Sequence, residues 1–212
     1  MPLDNALINT EWKQPAAVQV HVVLDYVEPP IWRRLIVPLR TTLAELHHVL
    51  QASMGWTSSH LHEFQIGGLR YGDVDLLNDN LTENDAVAFD ASEVRLKDFT
   101  REPGTAFKYV YDFGDHWVHT VTLETFVAVT PVPKTASCIA GARSCPPEDV
   151  GGCGGYEEFL RILFHPEDDE SEEQRHLKRW SGGRFDPERF DLAKTDKAAR
   201  SALRKARSRR EW

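Results

Sequence analysis

The chain has 212 residues and a formal net charge of −8, with 41% hydrophobic and 27% charged residues. This composition suffices for a packed core and excludes wholesale disorder, and no apolar run is long enough for a membrane span. The acidic balance argues against a bulk nucleic-acid binder. Three cysteines, and a start that lacks the order of a secretion signal, argue against a secreted disulfide scaffold and indicate a cytoplasmic protein.

The first quarter of the chain predicts two strands and a helix. Apolar residues alternate over residues 18–26, and after a Pro-Pro turn residues 31–37 read as the returning strand. Thr42 and Glu45 have the spacing of a capping box at a helix start, and Gly55 is a suitable helix stop. The apolar stripe of this helix consists of Leu43, Leu46, Leu50 and Met54.

The middle of the chain predicts more strands. Residues 60–66 read as a third strand, and residues 71–98 read as loops with short strands. The clearest hairpin joins residues 107–113 to residues 117–126 through the loop 114–116. The order of these elements predicts an α+β fold, with a β-grasp-like mixed sheet packed on one helix and a C-terminal helical region.

The last third predicts an irregular segment followed by helices. Residues 130–147 are rich in proline and small residues, and a Gly-rich turn then leads into a helix over 156–164. The acidic run 167–173 suits the start of another helix, residues 185–187 resemble a further helix start, and the basic tail 194–210 is expected to be helical.

Three histidines fall on the strand faces that carry large apolar residues. His60 and His62 alternate with Phe64, and the hairpin places His119 opposite the aromatic face of its partner strand. An unpaired buried imidazole costs roughly 1–3 kcal/mol, so each ring needs a partner. Each ring could be bonded to backbone or carboxylate groups, or the rings could sit at the open end of the sheet. Alternatively the rings share a ligand, since His-x-His on a strand directs both rings to one side, as metal sites require.

Four acids and a cysteine extend this candidate site. Asp112 and Asp115 flank the hairpin turn, where carboxylates cap backbone amides or, alternatively, orient histidines and bind metal. Cys145, Glu148 and Asp149 precede the Gly-rich turn and resemble the rim of a site. The sequence therefore predicts a ligand site with a divalent metal such as Zn²⁺ as candidate cofactor, drawn from His60, His62, His119, Asp112, Asp115, Cys145, Glu148 and Asp149.

The charge of the tail differs from that of the rest of the chain. Residues 194–210 contain eight basic residues and one acid, so this segment carries a charge of +7. We divide the chain into an α+β sheet domain, residues 1–130, and a region packed on it, residues 131–212. The tail is either a solvated helical end or a contact for nucleic acid or an acidic partner, made by Lys197, Arg200, Arg204 and Arg207.

Three ordered motifs resemble the signature of the plasmid pRiA4b ORF-3-like proteins. They are residues 60–64 (HLHEF), residues 111–119 (YDFGDHWVH) and residues 145–152 (CPPEDVGG), and residues 30–33 are also similar. The resemblance runs from about residue 18 to about residue 192. It implies an association with plasmids and mobile elements and an α+β fold, and it implies no established activity and no assigned catalytic residues.

Some proteins of this kind are labelled as transposon passengers under a resolvase-like name. Strand exchange needs a Ser or Tyr nucleophile among several arginines, whereas the motifs here are dominated by acids and histidines. Recombinase activity is therefore not expected. Because too few features specify any reaction and the carboxylates have structural explanations, we favour a non-catalytic binding or accessory protein. The alternatives are a metal-dependent hydrolase that uses the His/Asp cluster and a nucleic-acid-associated protein that acts through the tail.

Overall fold

The computed structural model describes residues 15–79, 86–99, 102–164 and 185–208, together with Glu172. Its strands are β1 (Ala17–Leu24), β2 (Ile31–Pro38), β3 (His62–Ile66), β4 (Leu69–Gly72), β5 (Ala88–Asp90), β6 (Thr105–Tyr111), β7 (Trp117–Val127) and β8 (Ser137–Ala142). Its helices are α1 (Leu43–Met54), α2 (Val74–Asn78), α3 (Gly152–Phe164) and α4 (Leu192–Ser208), with a short 3₁₀ helix at Leu96–Asp98.

All eight strands form one mixed sheet in the order β5-β4-β3-β6-β7-β1-β2-β8. Only β4 and β5 pair in parallel, and every other neighbouring pair is antiparallel. The inward residues of the central strands and the apolar stripe of α1 belong to one buried cluster. The predicted α+β fold, with a sheet on one helix and a helical C-terminal region, is confirmed.

Helix α1 begins and ends as its sequence predicts. Thr42 and Glu45 form both hydrogen bonds of the capping box, and Gly55 adopts the left-handed conformation with φ 99°. The buried face of this helix is nevertheless not wholly apolar, because Glu45, His47 and Gln51 are also buried. These polar residues must therefore find partners inside the fold.

The register of the β6–β7 hairpin determines where the aromatic and histidine rings lie. Tyr109 pairs with His119, and Tyr111 pairs with Trp117, so the predicted common face is confirmed. The predicted three-residue loop is wrong, because β6 ends at Tyr111 and Phe113 is exposed in a longer loop. The register differs from the prediction by two residues, so the residues that remain within β6 and β7 keep their predicted faces, whereas the inward position predicted for Phe113 is wrong.

The C-terminal third differs most from expectation. The irregular segment predicted over 130–147 is wrong for Ser137–Ala142, which form β8 and pair with β2 at the edge of the sheet. Helix α3 starts at Gly152 rather than Tyr156, and residues 185–187 are not a helix start, because they are non-helical and lead into a turn at residues 187–188. The acidic run 167–173 lies, apart from Glu172, outside the described residues.

The described part of the tail, residues 194–208, is helical as predicted, and it is part of the packed structure. Helix α4 contacts α1 and β8, and it buries Ala199 and Leu203 completely. The division of the chain at residue 130 stays a prediction. Across the described ranges, no helix combines the length and the apolar character that crossing a membrane requires.

Candidate functional site

Segments from the three motifs of the sequence come together beside the end of α1. The Asp112 amide donates to the Leu61 carbonyl at 2.8 Å, which joins the hairpin loop to the segment before β3. The Tyr111 hydroxyl donates to Glu148 at 2.5 Å, and the Gly151 amide donates to Asp115 Oδ2 at 3.1 Å. These bonds connect residues 59–62, 111–116 and 148–152 into one structure.

A histidine and two carboxylates, one group from each segment, face one another at this junction. His60 Nε2 lies 3.1 Å from Asp149 Oδ1 and 3.6 Å from Asp112 Oδ2. One ligand atom from each of the three side chains lies within 4.8 Å of the other two. We call His60, Asp112 and Asp149 the His/Asp cluster.

The two carboxylate oxygens of Asp112 have different contacts, one with the hairpin turn and one with the His/Asp cluster. Its Oδ1 accepts from the amides of Gly114 and Asp115 at 2.9 and 3.3 Å, which confirms that it caps the hairpin turn. Its Oδ2 faces His60. Asp112 and Asp149 both have φ 58°, a conformation that Asp and Asn tolerate better than most residues.

Glu148 is held by hydrogen bonds rather than left free. Its carboxylate accepts from the Thr57 amide at 3.2 Å, the Thr57 hydroxyl at 2.5 Å and the Tyr111 hydroxyl. Burial alone would raise the pKa of Glu148, but these hydrogen bonds outweigh burial and lower it. Burial and the bond to Glu148 both raise the pKa of Tyr111. Glu148 therefore serves as an ionised anchor between two segments.

His62 is stacked on a second histidine that the sequence analysis did not single out. The rings of His62 and His47 are 3.5 Å apart between centroids and 10° from parallel, and His47 Nδ1 lies 2.8 Å from the Tyr109 hydroxyl. Burial, and then the neighbouring His48, lower the pKa of His62 to about 4. Burial likewise lowers the pKa of His47 well below its usual value. Both rings are therefore neutral at pH 7.

His119 is fully buried between aromatic rings. Its Nδ1 lies 3.2 Å from the Tyr109 carbonyl, and its ring meets Trp56 edge-on. Burial lowers its pKa to about 4, against the opposing effect of the Tyr109 carbonyl. Its Nε2 atom has no hydrogen-bond partner among the described residues. Neither His119 nor His62 joins a group of metal-ligand atoms with His60 in the described structure.

Cys145 contacts residues that lie outside the His/Asp cluster. Its thiol lies 3.2 Å from the Met54 sulfur and 3.5 Å from the Arg33 guanidinium. Burial raises its pKa to about 11, even though Arg33 opposes the shift, so the thiol is protonated at pH 7. A protonated thiol is a poor nucleophile, and its contacts place it outside the His/Asp cluster.

An open cleft of about 470 Å³ lies beside the His/Asp cluster and includes His60 in its wall. Apolar residues of α1 and α2 form part of the lining. The polar lining consists of His47, His48, Ser58, His60, His62, Asp73, Asp75, Asp90 and Ser92. The buried Nε2 of His62 lacks a hydrogen-bond partner among the described residues.

Some of the residues that build this region have only weak signals in the sequence. His47 is four residues after Leu43 on the predicted apolar stripe, so helical spacing alone places it inside. Gln51 follows at the same spacing and donates to the Tyr109 hydroxyl at 3.0 Å. Thr57 carries no pattern of its own, because its role comes only from its contact with Glu148.

The four tail residues have different surroundings. Arg200 pairs with Asp196 at 2.7 Å, and Lys197 and Arg204 are exposed. Arg207 instead points back to the body of the protein, where it donates to the Lys134 carbonyl at 2.7 Å. The tail therefore does not present its basic residues as one uniform surface.

The sequence matches the family model of plasmid pRiA4b ORF-3-like proteins over residues 16–194. It is 43% identical over 154 residues to the uncharacterised protein y4hQ of Sinorhizobium fredii, which covers 71% of this chain and 75% of that protein. The fold is similar to the crystal structure of a protein of unknown function from Methanosarcina mazei Go1. That similarity has a TM-score of 0.70 and 34% identity, and it covers 84% of this chain and 95% of the other. Neither relative's name states a catalytic function.

Proposed function

The chain belongs to the plasmid pRiA4b ORF-3-like family, and we propose that it is a binding protein that holds a divalent metal ion. The ligands are His60, Asp112 and Asp149. The observation that carries the proposal is the meeting of these three side chains, which are far apart in sequence, with their ligand atoms within 4.8 Å of one another.

The separations within the His/Asp cluster suit a shared ion. Two ligands at about 2 Å from zinc, at the tetrahedral angle, lie roughly 3.3 Å apart. The distances from His60 Nε2, 3.1 Å to Asp149 and 3.6 Å to Asp112, lie on either side of that value. The Asp149 side chain is 72% exposed, so its carboxylate can adjust to complete the coordination.

The surroundings of His60 also favour its role as a metal ligand. Its side chain is 30% exposed, but its Nε2 atom is buried and forms no hydrogen bond with the described residues. The nearby Asp149 oxygen is at ion-pair distance without hydrogen-bond geometry. A buried ring nitrogen between two carboxylates is well placed to donate its lone pair to a cation.

The donor set indicates the kind of ion. One imidazole and two carboxylates suit Zn²⁺, Mn²⁺ or Fe²⁺ better than soft Cu⁺, which prefers sulfur ligands. Three protein ligands leave coordination positions for water or for a group of a bound ligand. The cleft that shares His60 would bring such a ligand to the metal, with the neutral ring of His62 offering a further hydrogen bond.

Metal binding by the purified protein tests this proposal directly. Asp112→Asn and Asp149→Asn keep a residue that tolerates φ 58° and remove one charged ligand each. We expect either change to weaken Zn²⁺ or Mn²⁺ affinity by about tenfold or more in calorimetric titrations. His60→Gln should have the same effect.

Asp75→Asn is the matched control, because it removes an exposed carboxylate that lines the same cleft but lies outside the His/Asp cluster. Its metal affinity should equal that of the wild type. If the wild type binds no stoichiometric metal after dialysis against zinc, or if the cluster variants bind as tightly as the control, the metal site is refuted.

A metal-dependent hydrolase is a second candidate function, favoured by the open coordination positions. A metal held by His60, Asp112 and Asp149 would supply Lewis-acid activation of water, the chemistry that hydrolysis of an ester or a phosphodiester requires. Hydrolysis of a chromogenic phosphodiester by the zinc- or manganese-loaded wild type, lost in His60→Gln, would support this activity. Stoichiometric metal without turnover on such substrates supports the binding protein instead.

A further inference from the structure

A second cleft, of about 400 Å³, has four cationic side chains in its lining. Its lining includes Arg40 just after β2, Arg95 before the 3₁₀ helix, Lys134 before β8 and Arg207 near the end of α4. Glu45 is the one carboxylate among the lining residues. Four positive groups from four parts of the chain thus converge on one depression of a protein whose net charge is −8.

The single carboxylate is already engaged. Glu45 accepts from the Thr42 amide at 3.2 Å as part of the capping box, and its Oε2 lies 3.5 Å from Arg207. Arg207 also donates to the Lys134 carbonyl and, at 3.3 Å, to Thr41. Glu45 therefore compensates part of the charge of Arg207, and it helps to hold this guanidinium at the wall of the cleft.

The other three cations have no such compensation. The side chains of Arg40, Arg95 and Lys134 are exposed and form no ion pair or side-chain hydrogen bond with the described part of the chain. Asp98 is close to Arg95, but it accepts from the Arg95 backbone amide and lies at 4.0 Å from Lys97. Like charges gathered in a concave site raise the local potential and attract anions.

We propose that this cleft binds a phosphate group through Arg40, Arg95 and Lys134, with Arg207 at its wall. Guanidinium groups form paired hydrogen bonds with phosphate oxygens, and two arginines with a lysine supply more than enough positive charge to compensate a phosphate ester. The phosphate could belong to a small phosphorylated molecule or to the backbone of a nucleic acid. The site shares no residue with the His/Asp cluster and does not depend on metal binding.

Binding assays on the full chain test the proposal. They are done with EDTA present, so that no metal occupies the His/Asp cluster. Pyrophosphate is titrated by calorimetry, and a fluorescent single-stranded oligonucleotide is titrated by anisotropy at two salt concentrations. We expect Arg40→Gln and Arg95→Gln to weaken binding by roughly tenfold each, since each removes a forked donor at an exposed site where folding is unaffected. For the oligonucleotide, each change should also reduce the salt slope by about 0.7.

Lys197→Gln and Arg204→Gln remove exposed cations of α4 that do not line the cleft, and they are the matched controls. Binding of pyrophosphate alone identifies a small phosphorylated ligand. Binding of the oligonucleotide with competition by pyrophosphate identifies a nucleic-acid backbone. The proposal is overturned if neither probe binds, or if the control variants weaken binding as much as the cleft variants do.

Discussion

Protonation of His119 should destabilise the protein in mild acid by an amount that can be calculated. The ring is fully buried, and burial lowers its pKa from 6.5 to about 4 in the folded state. The unfolded chain therefore binds more protons than the folded chain between these two values. The stability contributed by the neutral ring is complete above pH 6.5 and is lost as the pH falls toward 4.

The size of the effect follows from the shift. Each pKa unit corresponds to 1.36 kcal/mol, so the full displacement amounts to about 3 kcal/mol. At a pH of about 5 the loss has reached about 2 kcal/mol of the free energy of unfolding. This is a large fraction of the stability of a typical domain.

Urea unfolding of the wild type and of His119→Phe, at a pH of about 7 and of about 5, measures this contribution. Phenylalanine keeps an aromatic ring between Trp56 and Tyr109 and cannot be protonated. We expect the stability of the variant to fall by about 2 kcal/mol less than that of the wild type over this range. Titration of His47 and His62 occurs in both proteins and cancels in the comparison.

His116→Asn is the control, because it removes an exposed imidazole from the same hairpin and asparagine tolerates the φ of 55° at this position. It should keep the full pH dependence of the wild type. An equal loss of stability in wild type and His119→Phe would show that the folded state does not hold this ring neutral, and the reasoning would then be wrong.

Three further changes test the packing around the site by urea unfolding. Gly155→Ala should lower the free energy of unfolding by about 2 kcal/mol or more, because the added Cβ would lie 2.0 Å from the Val150 carbonyl oxygen. Gly154→Ala is its control: the added Cβ meets nothing, so this change should stabilise α3 by up to about 1 kcal/mol. Equal effects would contradict this geometry. Arg33→Met should lower the free energy of unfolding by about 3 kcal/mol or more, since the buried guanidinium donates to several backbone carbonyls. Arg34→Met removes only a surface ion pair and should change the stability by less than about 1 kcal/mol. Tyr111→Phe should cost about 1–2 kcal/mol through its lost bond to Glu148, and an unchanged stability would show that this bond does not hold the segments together.

The local pattern of the sequence was sufficient for much of the fold. The capping box of α1 and its glycine stop depend on neighbouring residues only, so they could be read directly. Alternation along β3, β6 and β7 placed His62 and His119 on the inward faces, because successive strand residues point to opposite sides of the sheet. Strand β8 was missed because its small residues carry no alternation, and it owes its conformation to pairing with β2.

The sequence by itself identified the family motifs and most of the chemistry-bearing residues, and only the tertiary structure decided which of them meet. The tertiary structure brings Asp149 next to His60, although 89 positions separate them in the sequence. It also stacks His47, rather than His60, against His62. It also placed Cys145 against Met54 and Arg33, in a setting where the thiol stays protonated. The reason is that contacts between distant segments depend on the path of the intervening chain and on its packing, and no local pattern of residues encodes that path.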